Sequence, residues 1–498
     1  MGRNSKSKNQ NIKVYNKNSS LEHLSNEILY QICKHLDGYE AFYAFHDLNY
    51  RFDQFLKSLL FILNITSDTL KSKLYIREIF KEILNFHKNR IIVIYLDMLL
   101  SFNDLFSFNS SFNRLKILHL YNCQSNKFIS FLQNLTYLPD LASLNLEICD
   151  QSINLNNIYQ IILTLPKLKS CDIKTNNNSK FSSLLSMNQN LSQIERLDIR
   201  GHCDLNECLS IVSHTYQLSH LVYIQTNPID YNIRIINSPI NLSNLTHLYL
   251  RISGMKFNVF ENFLSQISCK LTNLCLTTEI EDMKYLDANH WENFLLENYS
   301  QLKIFQLKCY AKHNHILDPV KINQFLTSFW IERRWVLEIN VSPVHFLYSI
   351  TPYKKRWYDE LSNEIYPSSS ELKKSCQLTL TNIDSSRWNQ IKDMFISAKI
   401  YHLVLLQEKP FIVTLIKIVR SLPKLISLQF NSLSFIEPDG EDFGDCFSKR
   451  SKSKIENVYV EKVETNGEIA CISTLCPRMK CFRIISFENS TNSRSFYY

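Results

Sequence analysis

Apolar residues along this chain recur in a six-residue pattern, L-x-x-L-x-L, with Ile or another apolar residue sometimes replacing Leu. Copies begin at Leu115 (LKILHL), Leu141 (LASLNL), Leu168 (LKSCDI), Ile194 (IERLDI), Leu218 (LSHLVY), Leu245 (LTHLYL), Leu271 (LTNLCL) and Leu302 (LKIFQL), spaced 24 to 31 residues apart. A weaker copy begins at Ile91 (IIVIYL), and later ones at Ile400 (IYHLVL), Leu425 (LISLQF), Ile455 (IENVYV) and Met479 (MKCFRI). Alternation within each copy predicts a short strand with one buried face. Between copies the spacing turns helical: Ile158, Ile161, Ile162 and Leu165 fall at i, i+3, i+4 and i+7. So do Phe260, Phe263, Leu264 and Ile267, and Ile412, Leu415, Ile416 and Val419. Helices that run into Leu138-Pro139, Leu165-Pro166 and Leu422-Pro423 stop there, because proline has no N–H to continue them. One strand and one helix cannot bury their own apolar sides, so stacked units must share a continuous core.

The pattern resembles the leucine-rich repeat family, whose consensus continues L-x-x-L-x-L-x-x-N/C. Counting eight from each start gives Cys123, Cys149 and Asn176, then His202, Thr226, Ser253 and Glu279 as the slot drifts. The resemblance covers roughly three quarters of the chain. It implies an α/β solenoid, a horseshoe with parallel strands on the concave face and helices outside. Motif residues 4 and 6 would point into the core and residues 3, 5 and 7 onto the concave face. That face would carry His119, Tyr121, Asn145, Glu147, Asp172, Lys174, Arg196, Asp198, Arg200, His220, His247, Tyr249, Arg251, Gln306 and Lys308. Its signs are mixed, which suits a protein target better than a phosphate backbone. Arg196, Arg200 and Arg251 would form a cationic cluster on nearby strands.

Residues 311–399 break the rhythm and hold Trp330, Trp335, Trp357 and Trp388. WVLEINV (335–341) and QLTLTN (377–382) read as degenerate strands. Residues 342–375, with Pro343, Pro352, Pro367 and a Ser run at 368–370, read as a long surface excursion. The stretch 437–454 is a second loop, acidic and then basic.

Residues 21–56 differ in kind. Ser25 can cap a helix starting at Asn26, with Ile28, Leu29, Ile32 and Leu36 as its apolar stripe and Gly38 at its left-handed end. A second helix would carry Phe42, Phe45 and Leu48, and a third Phe52, Phe55 and Leu56. Leu21, Leu24, Glu27, Ile28, Leu29, Ile32, Leu36 and Asp37, followed by Asn49, Arg51 and Phe52, resemble the F-box pattern. Ser25 stands where that family usually has Pro; both favour a helix start. The resemblance implies docking on a Skp-type adaptor, and through it on a cullin, by Leu24, Ser25, Ile28, Leu29, Ile32 and Leu36. The domain reading is therefore a disordered basic tail (1–20), an all-α module (21–58), repeats (59–310), degenerate repeats with an insertion (311–399) and terminal repeats (400–498).

Composition narrows the chemistry. Five of the net +8 charges sit in the first 20 residues, as Arg3, Lys6, Lys8, Lys13 and Lys17. The remaining body is nearly neutral and carries no footprint for nucleic acid. Seven Gly in 498 residues form neither G-x-G-x-x-G nor a P-loop, so nucleotide binding by those loops is excluded. No apolar run reaches the length of a membrane span. Cys203 and Cys208, and Cys471, Cys476 and Cys481, lack the close pairing of a structural zinc site, and His313 and His315 have no neighbouring Cys or carboxylate cluster. No G-x-S-x-G or H-E-x-x-H marks a nucleophile or a metalloprotease. The expectation is a non-enzymatic substrate receptor of a Skp–cullin–F-box ubiquitin ligase, cytoplasmic or nuclear, without cofactor or metal. The alternative is a repeat scaffold or inhibitor whose helical N-terminus only caps the solenoid.

Overall fold

The computed structural model describes residues 21–66, 75–99, 108–124, 127–150, 154–175, 192–201, 203–225, 239–312, 319–361, 367–434 and 453–487. The basic tail, Asn176, His202, Thr226, the His313 and His315 pair, and residues 437–452 lie outside the described residues. The chain forms two compact units. One holds Met1–Cys123 and Gln133–Asn145; the other holds Gln124–Leu132 and Leu146–Tyr498.

The first unit opens with α1 (Asn26–Cys33), α2 (Gly38–Phe45) and α3 (Tyr50–Ser58). Leu29, Phe42, Phe45, Phe52, Phe55 and Leu56 form their shared core. Phe45 packs its ring on Phe52 at 5.2 Å and on Phe55 at 5.9 Å. The Asn-x-Arg-Phe run ties the module together. Asn49 caps α3 by accepting from the Phe52 N–H, and its amide donates to Glu22 at 2.8 Å. The Arg51 guanidinium grips the carbonyls of Glu22 and Leu24 and the side chain of Asn26.

Gly38 does not end α1. It is the first residue of α2, behind an Asp37–Glu40 capping box. The glycine is needed for packing: a Cβ there would lie 2.8 Å from Leu63 and 2.9 Å from the Ile62 carbonyl. Those residues belong to β1 (Phe61–Ile65), which pairs in parallel with β2 (Ile91–Asp97), which pairs with β3 (Ile117–Cys123). The helix α4 (Tyr75–Phe86) connects β1 to β2.

The boundary between the units falls within β4 (Ser143–Ile148). The second unit continues with β5 (Ser170–Thr175), β6 (Arg196–Gly201), β7 (His220–Gln225), β8 (His247–Ser253), β9 (Asn273–Glu279) and β10 (Ile304–Lys312), all parallel neighbours in that order. From Leu115 onward each motif copy starts its strand two residues in. The second motif residue explains the offset, because its carbonyl accepts two successive N–H groups from the next repeat. Glu195 and Arg196 donate to the Lys169 carbonyl, Ser219 and His220 to Glu195, and Thr246 and His247 to Ser219. The same pair recurs late in the chain, where Ile426 and Ser427 donate to Tyr401. Connecting helices include α5 (Leu155–Leu163), α6 (Leu205–Val212) and α7 (Phe257–Ser265). Parallel strands alternating with helices give the second unit the build of an α/β solenoid.

The rhythm resumes through β11 (Trp335–Val341), β13 (Gln377–Leu380), β14 (His402–Leu405), β15 (Ser427–Phe430), β16 (Asn457–Val463) and β17 (Cys481–Phe487). They pair in parallel in that order. Between β10 and β11 stands β12 (His345–Pro352), antiparallel to both. The supposed surface excursion therefore contains a core strand, with Phe346, Tyr348 and Ile350 buried. Alternating Phe-x-Tyr-x-Ile carries the strand signal. The flanking prolines conceal it, because Pro343 lies in the turn and Pro352 closes the strand where its missing N–H is tolerated. Trp291, Trp330, Trp335 and Trp388 are fully buried in this unit, whereas Trp357 is half-buried.

Candidate functional site

Three surfaces bear on function. On α1, Leu29 is 0 % exposed and Ile28 is 48 % exposed. Leu29 thus belongs to the module's own core, because neighbouring residues on a helix face different ways. Leu24, Ile32 and Leu36 are half-buried, and Leu21 is exposed. Ser25 takes the N-cap position with φ −69°, but its side chain makes no capping hydrogen bond. Its hydroxyl pairs instead with Glu27, which holds that carboxyl below the usual range.

The second surface is the exposed row of the strands. In the first unit His119 stacks on Tyr95 at 4.3 Å and lies beside Tyr121. The Asn145 amide meets His119 Nδ1 at 2.7 Å, and burial holds this imidazole below its usual pKa. An amide N–H donates, so the neutral ring keeps its proton on Nε2.

In the second unit the row is self-neutralised. Lys174 meets Glu147 at 2.7 Å. Arg196 bonds Asp198 through two nitrogens at 3.1 and 3.2 Å. Arg200 meets Asp198 at 3.0 Å and Asp172 at 3.2 Å. Asp198, expected on the open face, is buried because two guanidinium groups cover it. The predicted cluster of Arg196, Arg200 and Arg251 is accordingly no bare cationic patch: two of its three members already hold carboxylates. Farther along the row, His220 and His247 stack at 4.1 Å. Tyr249 is half-buried and Arg251 exposed.

The third surface is a cavity of 380 Å³ over β11 and β13 to β15. Strand register aligns two rows beneath it. One runs Glu338, Gln377, His402, Ser427; the next runs Asn340, Thr379, Val404, Gln429. A strap following β12 crosses the first row and supplies Arg356, Trp357 and Tyr358 as a wall. The Arg356 side chain is 9 % exposed. It donates to the Ser375 carbonyl at 2.7 Å, the Tyr358 hydroxyl at 2.8 Å and Glu338 at 3.1 Å. Asp359 accepts from the Arg356 backbone N–H at 2.7 Å and from the Tyr353 hydroxyl at 2.5 Å.

Tyr358 stacks flat on His402 at 4.6 Å. His402 Nε2 lies 2.6 Å from the Lys374 carbonyl and Nδ1 2.6 Å from the Ser427 hydroxyl. A carbonyl only accepts, so Nε2 carries the proton and Ser427 donates to Nδ1. Burial, with Arg356 nearby, keeps this imidazole neutral and well below its usual pKa.

The motif-position rule that located the early row also locates His402, Val404, Ser427 and Gln429 in the repeats starting at Ile400 and Leu425. The strap had no such signal, since no periodicity fixes where an irregular segment returns. Among the described residues no group of three or more His, Cys, Asp or Glu side chains is placed to hold a metal ion. Burial raises the Cys203 and Cys208 thiols above their usual pKa, the reverse of an activated nucleophile. Among the described residues no helix is long and apolar enough to cross a membrane.

No protein-family model matches the chain, and no curated protein does. Among solved structures, the crystal structure of a TLR13–ssRNA13 complex is similar, with 13% identity and a TM-score of 0.27. That likeness covers 80% of this chain and 60% of the other, so the chain spans less than two thirds of that neighbour.

Proposed function

We propose that this chain is a non-catalytic substrate receptor. Residues 21–58 dock a Skp-type adaptor, and through it a cullin-based ubiquitin ligase, in the cytoplasm or nucleus. The exposed strand face holds a protein target. The chain supplies no reacting group; tethering raises the effective concentration of a target lysine at the loaded enzyme. The observation that carries the reading is the outward face of α1. On α1 Ile28 is 48 % exposed and Ile32 half-buried, and before the helix Leu21 is 45 % exposed and Leu24 half-buried, apolar side chains of the kind that enter a partner's groove. Leu29 drops out of the docking set, because it is sealed in the module.

A second reading has its own observation. The close approach of Gly38 to β1 means that α2 packs directly on that first strand, as a capping element would. The two roles use different faces, α2 inward and α1 outward. A scaffold or inhibitor would use only the first.

The deciding experiment is a pull-down of purified Skp adaptor by the full chain, beside a variant carrying Leu24→Asp and Ile28→Asp. Circular dichroism establishes that the variant folds. Capture by the wild type and at least tenfold weaker capture by the folded variant is the expected result. No capture by either leaves the scaffold reading.

A further inference from the structure

We infer that the cavity over β11 and β13 to β15 is a recognition pocket for an uncharged stretch of peptide, read through its amide groups. The inference rests on the reading that the repeats hold a protein target, and it gives that target a chemistry.

The pocket differs from the rest of the exposed face. Its floor is the row Asn340, Thr379, Val404, Gln429, flanked by Gln377. Three of these side chains are primary amides, and a primary amide matches a peptide group donor to acceptor and acceptor to donor. Its wall is aromatic. Trp357 and Tyr358 are both half-buried, with ring centroids 5.4 Å apart, and Trp357 also packs on Tyr459 at 5.5 Å. Rigid aromatic area beside adaptable amide and hydroxyl groups is the combination that protein-recognition surfaces favour. A volume of 380 Å³ lies in the range of ligand pockets and suits a short stretch of chain.

Charge sets the preference. The cation in the wall, Arg356, is directed to Glu338, the Ser375 carbonyl and Tyr358. His402 is neutral and bonded at both nitrogens. A phosphate or carboxylate entering the pocket would lose its water and meet a cation already paired, whereas a neutral amide gives up little and regains its hydrogen bonds.

Tryptophan fluorescence makes the pocket observable. Of the five tryptophans, Trp291, Trp330, Trp335 and Trp388 are fully buried, so acrylamide quenching reports on Trp357. The full chain is passed over an array of random heptapeptides in three sets: uncharged, phosphoserine- or Asp-containing, and Lys-containing. Expected are hits concentrated in the uncharged set that protect Trp357 from acrylamide. Val404→Trp, which fills the floor, and Gln429→Lys, which places a cation in it, should each weaken those hits at least tenfold.

The inference is overturned by no uncharged hits, by hits mainly among phosphorylated or acidic peptides, or by hits that leave Trp357 open and ignore both folded variants. The chain carrying Leu24→Asp and Ile28→Asp runs in parallel. Retained peptide capture with lost adaptor binding separates this pocket from the adaptor reading. Adaptor capture without peptide capture removes the pocket alone.

Discussion

Strands β5 to β8 and strands β11 and β13 to β15 belong to one unit and expose the same positions of their repeats, yet they make unlike surfaces. On the first set, Arg196 and Arg200 neutralise Asp198 within β6, Arg200 also reaches Asp172 on β5, and both guanidinium groups stay exposed. On the second, neutral residues line the floor, and a strap carrying Arg356, Trp357 and Tyr358 covers part of it. A repeat strand offers a face, and what lies over that face decides whether it is a surface or a site. Asp198, the fifth residue of its motif copy, and His402, the third of its own, both fall at outward-facing motif positions, and both are buried. Asp198 is covered by its own neighbours on the strand, and His402 by a segment that left the sheet and came back.

The contrast breaks most visibly at Arg356. Arg356→Ala removes the partner of Glu338 and leaves the Ser375 carbonyl unmet, at a cost of about 3 kcal/mol. Hydrogen exchange should show roughly a hundredfold loss of protection across β13 and β14, with Trp357 more open to acrylamide. Unchanged protection there would mean that the strap does not hold the cavity. Asp198→Asn is the matching change on the open row. It takes the buried carboxylate from Arg196 and Arg200, of which Arg200 keeps Asp172, and should cost about 1–2 kcal/mol, whereas Arg196→Ala, which removes an exposed guanidinium, should cost under about 1 kcal/mol. Thermal unfolding of the two variants checks the order; a reversed order would show that Asp198 does not organise the row.

Acidity separates the two regions further. His402 is favoured neutral in the fold, so its contribution is present above the ordinary histidine value near 6.5 and is lost as pH falls below it. The melting temperature of the wild type should fall from about pH 7 to about pH 5 more steeply than that of His402→Gln. Glu207, at the start of α6 behind β6, has the opposite sign. Burial pushes its carboxyl up to about 7, so its contribution is present below the ordinary 4.5 and is lost as pH rises through about 7. Glu207→Gln still accepts the Asp204 N–H and should remove that decline. Equal slopes for wild type and variant in either case would show that the group does not titrate differently on folding.

Much of this architecture is written locally. The alternation in LKSCDI or LTHLYL states a strand and its buried face, and the i, i+3, i+4 spacing of Ile158 to Ile162 states a helix, because each depends only on near neighbours. Asn49 likewise caps its own helix, whereas the Arg51 clamp reaches back to Glu22, Leu24 and Asn26 and depends on how the helices pack. Other features depend on long returns of the chain. HFLYSITP alternates well enough for a strand, but only pairing with β10 and β11 decides that it runs antiparallel between them. Leu29 and Ile28 are equally apolar in the sequence; the packing of α2 and α3 alone makes one core and the other surface.

Local pattern along the chain states the repeat, the faces of its strands and the run of helices that precedes them. Tertiary structure decided the cavity, the pairing of Arg196 and Arg200, and the tautomer of His402. The physical reason is range. Side-chain alternation is a property of a few consecutive residues, whereas a strap closes only when Arg356 finds Ser375 and Glu338 from elsewhere in the chain.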